Sequence, residues 1–305
     1  MKFPLAHPSL EPYRRYEQPP STGDGFTAHF LGTSSVLLRD ANTAVLCDGF
    51  VTRPSLPRVA FGRIAPDRDL VTRAMRRLGV DTLDAVFCAH SHYDHALDAP
   101  VWAELTGADL LGSPSTAQIG RGHGLPETSL RVVSDAEVLS YGDFRLTFLE
   151  SVHSPGDRFP GTVDAPLVPP ARASAWKTGT SYSIVVGHPR GRLVLHCSAN
   201  WRPGVLNGRD ADVVYLGIGV LGRQTSPFID EYWNQVVRAT GARRVVLMHW
   251  DDLFRGIGRP LRPMPYAMDD FPRAFREILA RAEADEVEVV LPVPWQPADP
   301  FAGLG

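Results

Sequence analysis

Within six residues the chain places four side chains of metal-binding type, in His90-Ser-His92-Tyr-Asp94-His95. Neutral imidazoles and a carboxylate at this spacing suit a divalent cation that activates water, whereas the plain alternative is a polar surface turn. The run just before, Asp84-Ala-Val-Phe-Cys-Ala, is short and apolar and predicts a buried strand, so the imidazoles begin where the strand ends. A strand end is a rigid mount. His90 and His92 alternate and can point the same way, while Asp94 and His95 turn toward a neighbouring position. Two later histidines are delivered in the same manner: His153 closes Phe148-Leu-Glu-Ser-Val, and His249 closes Arg243-Arg-Val-Val-Leu-Met. Taken alone, each also reads as a strand-end or capping histidine.

The His-x-His-x-Asp-His pattern of His90, His92, Asp94 and His95 resembles the signature of the metallo-β-lactamase-fold hydrolases. The resemblance runs from about residue 26 to 292, although only its short motifs are specific. It implies that His90, His92 and His153 hold one metal and that Asp94, His95 and His249 hold a second. Donors of nitrogen and oxygen alone suit Zn2+, two ions being expected, with Mn2+ or Fe2+ compatible. A water between the ions, its pKa lowered to about 7, would attack a carbonyl or phosphoryl centre, with Asp94 orienting it and accepting its proton. Asp48, after the apolar run Val45-Leu-Cys, matches an Asp of the family that can orient a ligand imidazole, and is otherwise a turn residue. Tyr93 can contact substrate or fill space.

One departure stands out. Where the family has a bridging Asp at the end of a later strand, this chain reads Cys197-Ser198-Ala199-Asn200. Alignment puts Ser198 in the bridging position, and alternation then turns Cys197 to the opposite, buried face. The resemblance implies a metal-dependent hydrolase that cleaves an ester or lactone of a small molecule. A phosphodiesterase of the same fold is the first alternative, and a non-catalytic metal- or partner-binding protein the second.

The rest of the composition is consistent with this class. The chain has 305 residues, 44% of them apolar, enough to bury a large core. Its 31 Lys and Arg against 34 Asp and Glu, a net charge of −3, give no general attraction to nucleic acid. The three Cys lie in apolar runs without Cys-x-x-Cys spacing, so no disulfide is expected. No apolar leader or run of membrane-spanning length occurs, so a cytoplasmic protein without membrane contact is expected, acting on a small molecule, with a homo-oligomer left open.

The elements that must position these residues alternate in type. Residues 1–24, with five Pro, predict an extended arm, and no linker or repeat divides the chain, so a single hydrolase domain spanning 1–305, arm included, is expected. Short strands follow from Phe26, then a Pro- and Arg-rich loop over residues 50–66, a helix over Arg68 to Leu78, and a helix capped by Asp98. Strands return from Leu130, and helices from Pro227 and Asp269 alternate with further short strands. This order fits an α/β fold, which the resemblance makes an αββα sandwich of two mixed sheets with helices outside. The stretch Ser154 to Thr178 is too long and irregular for a plain connection, and Phe159, Trp176 and Lys177 within it can line a pocket. His123, from its Gly-flanked loop, can also reach the site. His196 sits beside the presumed strand end.

Overall fold

The computed structural model describes residues 3–21 and 25–304. Fourteen strands form two seven-stranded sheets. The first orders β14(Pro297–Ala298), β1(Thr27–Gly32), β2(Ser35–Arg39), β3(Ala44–Cys47), β4(Ala85–Phe87), β5(Asp109–Gly112) and β6(Leu130–Val132). The second orders β13(Glu288–Val290), β12(Arg244–Met248), β11(Val213–Gly217), β10(Gly191–His196), β9(Ser181–His188), β8(Phe144–Ser151) and β7(Glu137–Tyr141). Each sheet is mixed. Strands β3 to β6 run parallel, as do β10 to β13, while the hairpin-linked strands pair antiparallel. The two mixed sheets with their helices are the α/β sandwich expected from the sequence.

Burial of both faces explains why a central strand such as β4 is apolar at every position. On β4, Ala85 and Phe87 join the core between the sheets, whereas Val86 joins a second cluster on the outer face of the first sheet. Phe87 meets Phe148 of β8 edge to face, with ring centroids 6.0 Å apart. The outer cluster is covered by α2(Arg68–Leu78) and α4(Ala99–Thr106), which supply Val71, Ala74, Leu78 and Trp102. Asp67 caps α2 by accepting from the Leu70 N–H, and Gly79 ends it in the left-handed conformation. On the other side of the molecule, α6(Ser226–Trp233) and α7(Phe271–Ala284) bury Trp233, Phe271 and Phe275.

Three expectations change. The arm is not extended throughout: Glu11–Tyr16 forms a 3-10 helix, and Tyr13 and Tyr16 pack on Phe275 of α7. Residues 1, 2 and 22–24 of the arm lie outside the described residues. Asp98 precedes α4 but makes no side-chain cap. It turns back instead, accepting from Val51 N, Thr52 N and the Thr52 hydroxyl, because the 50–66 segment needs acceptors for buried backbone donors. That segment, expected to be loop, contains α1(Leu56–Phe61), entered through Pro57. Among the described residues no helix is long and apolar enough to cross a membrane.

Candidate metal centre and its cleft

The carboxyl ends of β3, β4, β8, β10, β11 and β12 deliver the site residues to one edge of the sandwich. After β4, the chain passes His90 and His92 and turns into α3(Tyr93–Ala96), a single helical turn that redirects Asp94 and His95. This turn was not visible in the sequence because four residues carry no periodicity. His153 follows β8 and His249 follows β12.

Two groups result. His90, His92 and His153 offer ligand atoms that all lie within 4.8 Å of one another, and so do Asp94, His95 and His249. In the first group His90 Nε2 faces His92 Nδ1 at 3.2 Å, and the His90 and His153 ring centroids are 4.7 Å apart. In the second, His249 Nε2 is 3.3 Å from His95 Nε2 and 3.4 Å from Asp94 Oδ2. Tetrahedral bonds of about 2.0–2.1 Å place neighbouring ligand atoms about 3.3–3.4 Å apart, so these spacings fit a metal ion. The His90 and His95 rings, one from each group, approach to 3.7 Å between centroids, making the groups immediate neighbours.

The nitrogens turned away from the clusters support the same fit. His95 Nδ1 is 2.7 Å from Asp48 Oδ2, which also accepts at 2.5 Å from the Ser34 hydroxyl, while Asp48 Oδ1 accepts from Ala89 N at 2.9 Å. Asp48 achieves this from a left-handed backbone, φ 59°, just past β3. His92 Nε2 lies 3.2 Å from Asp157 Oδ1 and 3.1 Å from the Thr178 hydroxyl, which itself donates to Asp157. A carboxylate behind each of these imidazoles fixes its tautomer and leaves the opposite nitrogen a free acceptor. His153 presents Nδ1 to the Ser154 carbonyl at 2.9 Å.

Charge follows burial. Desolvation, with the surrounding imidazoles, holds His90 well below the ordinary histidine pKa and takes His153 down to about 4. His95 is also desolvated, yet the Asp48 and Asp94 carboxylates overcome this and raise it. Burial opposes ionisation of Asp94, but His95 and His249 outweigh it and hold the carboxyl well below its usual range. Near neutrality the chain therefore presents unprotonated imidazoles at His90 and His153 beside an ionised Asp94.

His249 sits on a strained turn, φ 59°, held by a clamp that sequence reading missed. Its N–H donates to the Thr33 carbonyl at 2.5 Å, and Thr33 N donates to Asp251 Oδ1 at 2.6 Å. The other oxygen of Asp251 pairs with Arg53 Nη1 at 2.6 Å, both side chains being wholly buried. Gly219 lets the ring pass: a β-carbon there would stand 2.8 Å from His249 Nδ1. The next residue, Val220, is β-branched and left-handed at φ 60°, its N–H taken by Asp269 at 3.0 Å.

Of the remaining candidates, Ser198 and Tyr93 line the cleft, and so do Ser154, Gly156 and Phe159 of the long loop. Cys197 faces the core, 3.9 Å from Cys47 of the opposite sheet. Trp176 is fully buried and does not line the cleft, because it packs into the outer cluster. Lys177 is not among the lining residues either. His123 does not reach the site: at the end of α5(Pro114–His123) it pairs with Glu104 at 2.9 Å. His196 is structural, bound between Ser183 Oγ and the Asn200 carbonyl. Asp157, Thr178, Arg53 and Asp251 had no spacing signal, although Asp157 lies in the Ser-Pro-Gly-Asp turn directly after His153.

A two-sheet sandwich with paired His/Asp clusters at the strand ends is the architecture of a metal-dependent hydrolase class. The metallo-beta-lactamase superfamily model matches residues 30–288, and the chain belongs to that superfamily. Among solved structures it resembles Igni18, a metallo hydrolase from Ignicoccus hospitalis, at 13% identity and TM-score 0.55, covering 90% of this chain and 97% of that one. A protein from Veillonella parvula, described as a possible metal-dependent hydrolase, is 14% identical with TM-score 0.56, covering 90% and 99%. The diiron β-hydroxylase CmlA from Streptomyces venezuelae is 15% identical with TM-score 0.52, covering 90% of this chain and 54% of its own. Among curated protein sequences none matches this chain. At these identities the likeness is one of fold.

Proposed function

We propose that the protein is a metal-dependent hydrolase that cleaves an ester or lactone bond of a small molecule. The observation that carries this reading is the pair of adjacent three-ligand groups opening onto a cleft of about 190 Å3 lined by His92, Asp94, His153 and His249. A closed four-ligand site would read as structural, whereas three ligands facing a cavity leave room for water and substrate. His90, His92 and His153 would hold one ion, and Asp94, His95 and His249 the other. Bound there, the ions would supply a Lewis acid for the substrate oxygen and lower the pKa of water. Zn2+ suits the donors, and Fe2+ or Mn2+ suits them as well.

The chain's own contribution is orientation and proton handling. Asp94, ionised and facing the cleft, accepts a proton from the attacking water. Asp48 and Asp157 keep the His95 and His92 rings in place. Phe159 and Tyr93 narrow the cleft and limit competing water. Ser198 adds a neutral hydroxyl where a further carboxylate would occupy the space in front of the clusters.

The test is metal analysis of the purified protein followed by turnover of lactone, ester, phosphodiester and β-lactam panels, before and after chelation. Expected are about two metal ions per chain, lactone or ester turnover above the other panels, and loss of turnover with the metals. Metal binding with no turnover of any panel would favour the non-catalytic alternative.

A further inference from the structure

The cleft at the two clusters does not end there. It continues past Gly219, Val220 and His249 into a larger hollow of about 580 Å3, and Pro155, Gly156 and Arg158 line both parts. The small part faces the clusters, so the reacting group belongs there. The larger part is floored by Leu253, Met264 and Met268, an apolar and adaptable surface. It is too large for the short acyl or lactone ring that would fill the inner part alone.

The charges around this outer part are uneven. Asp251 is consumed by Arg53 and Thr33 N. Asp269 is buried, its oxygens taken by Val220 N and Asp270 N. Asp157 is turned to His92 and Thr178. Asp94 belongs to the second cluster. What remains at the walls are two exposed guanidiniums, Arg158 and Arg223, neither with a carboxylate partner among the described residues. The Ala267 carbonyl accepts from Arg223 Nη1 at 2.6 Å, which fixes the group in place and leaves its other N–H donors available. Arg158 lies in the same loop as His153 and Asp157 and spans both parts of the cleft.

We infer that the substrate carries an anionic group, carboxylate or phosphate, separated by an apolar body from the bond that reacts, and that Arg158 and Arg223 recognise it. This rests on the hydrolase reading for its reacting end but not for its binding end. Planar guanidiniums with free donors suit bidentate recognition of either anion. The body lies over Val220, Met264 and Met268. Val220, left-handed at φ 60°, lines both parts of the cleft beside His249.

The probes are three stable anilides of matched length, hexananilide, adipic acid monoanilide and 5-phosphonopentananilide, titrated calorimetrically into the metal-loaded full chain. Beside them, 4-nitrophenyl hexanoate and the 4-nitrophenyl monoester of adipic acid are compared as substrates. At least one anionic anilide should bind about tenfold or more tightly than hexananilide, and the stronger anion identifies the native group. Arg158→Ala and Arg223→Ala should each cut that preference at least threefold. Arg158→Lys should keep part of it, and Arg172→Ala, an exposed residue of the same loop outside the cleft, should keep all of it. Among substrates the preference should appear in KM. Equal binding of all three anilides, or a preference that survives both alanine variants, overturns the inference. Preferential binding without turnover of either ester leaves the inference standing and counts against the ester-hydrolase reading.

Discussion

Ser198 puts a neutral side chain into the cleft beside the two groups, which, if both were loaded, would hold two dications about 3.5–4 Å apart. Without a carboxylate between them, only a hydroxide and Asp94 would offset their repulsion locally, so the Asp94, His95 and His249 group should be the weaker site. Ser198→Asp is expected to tighten the second metal while lowering turnover, because the new carboxylate competes for the space of the attacking water. Titration against a competing chelator, with turnover followed at each step, checks this; equal and unchanged affinities would mean that Ser198 is not in the bridging position. Asp94→Ala should lose one metal per chain and essentially all turnover, whereas Ser198→Ala should keep both metals and stay within about tenfold, a ΔΔG‡ near 1.4 kcal/mol. Asp48 acts one layer further out. Removing its charge with Asp48→Asn leaves His95 without its carboxylate acceptor and should weaken the second metal about 10–100-fold, measurable in the same titration.

The elements that carry the site differ in how far they could be read from sequence. Strand-end histidines were legible because an apolar run followed by a polar ligand is a local pattern, and His90, His92, His153 and His249 each follow one. Once the resemblance to the family had placed Ser198, alternation assigned Cys197 to the opposite face, and the thiol does face the core while the hydroxyl lines the cleft. What stayed hidden depends on contacts between distant turns. Arg53, Thr33 and Asp251 come from three segments up to 218 residues apart, and no periodicity relates them. Asp98 has the sequence position of a helix cap, yet its buried neighbours Val51 and Thr52 claim its oxygens. The Arg53–Asp251 clamp yields a prediction at this scale. Arg53→Met leaves the Asp251 carboxylate buried without its counter-charge, which should cost about 3–5 kcal/mol in urea unfolding, whereas Arg53→Met with Asp251→Leu should recover much of the loss. Since Thr33 also takes the His249 N–H, Arg53→Met should weaken the second metal more than the first.

At the scale of the whole molecule, the edge that carries the candidate site is also held by a buried ionisable group outside the two clusters, and it ties stability to pH. Asp269 is 4% exposed and joins the start of α7 to the Val220 turn through the N–H groups of Val220 and Asp270. Burial pushes its carboxyl up to about 6, against roughly 3.9 in an unfolded chain. A raised folded-state pKa means that the folded chain binds the proton more tightly than the unfolded one between those values. The stabilisation it brings is therefore complete below about pH 4 and lost as pH rises through about 6. Above that window the folded state must keep a desolvated carboxylate. Asp269→Asn removes this proton uptake, at the fixed cost of one backbone hydrogen bond, since an amide offers one acceptor oxygen in place of two. The expected signature is thus a slope and not an offset. Measured by urea unfolding of chelator-treated protein between pH 4.5 and 7.5, wild type should lose about 1–3 kcal/mol more stability across the interval than Asp269→Asn. Parallel curves would show that Asp269 is already ionised throughout the interval and that the two backbone N–H groups outweigh burial.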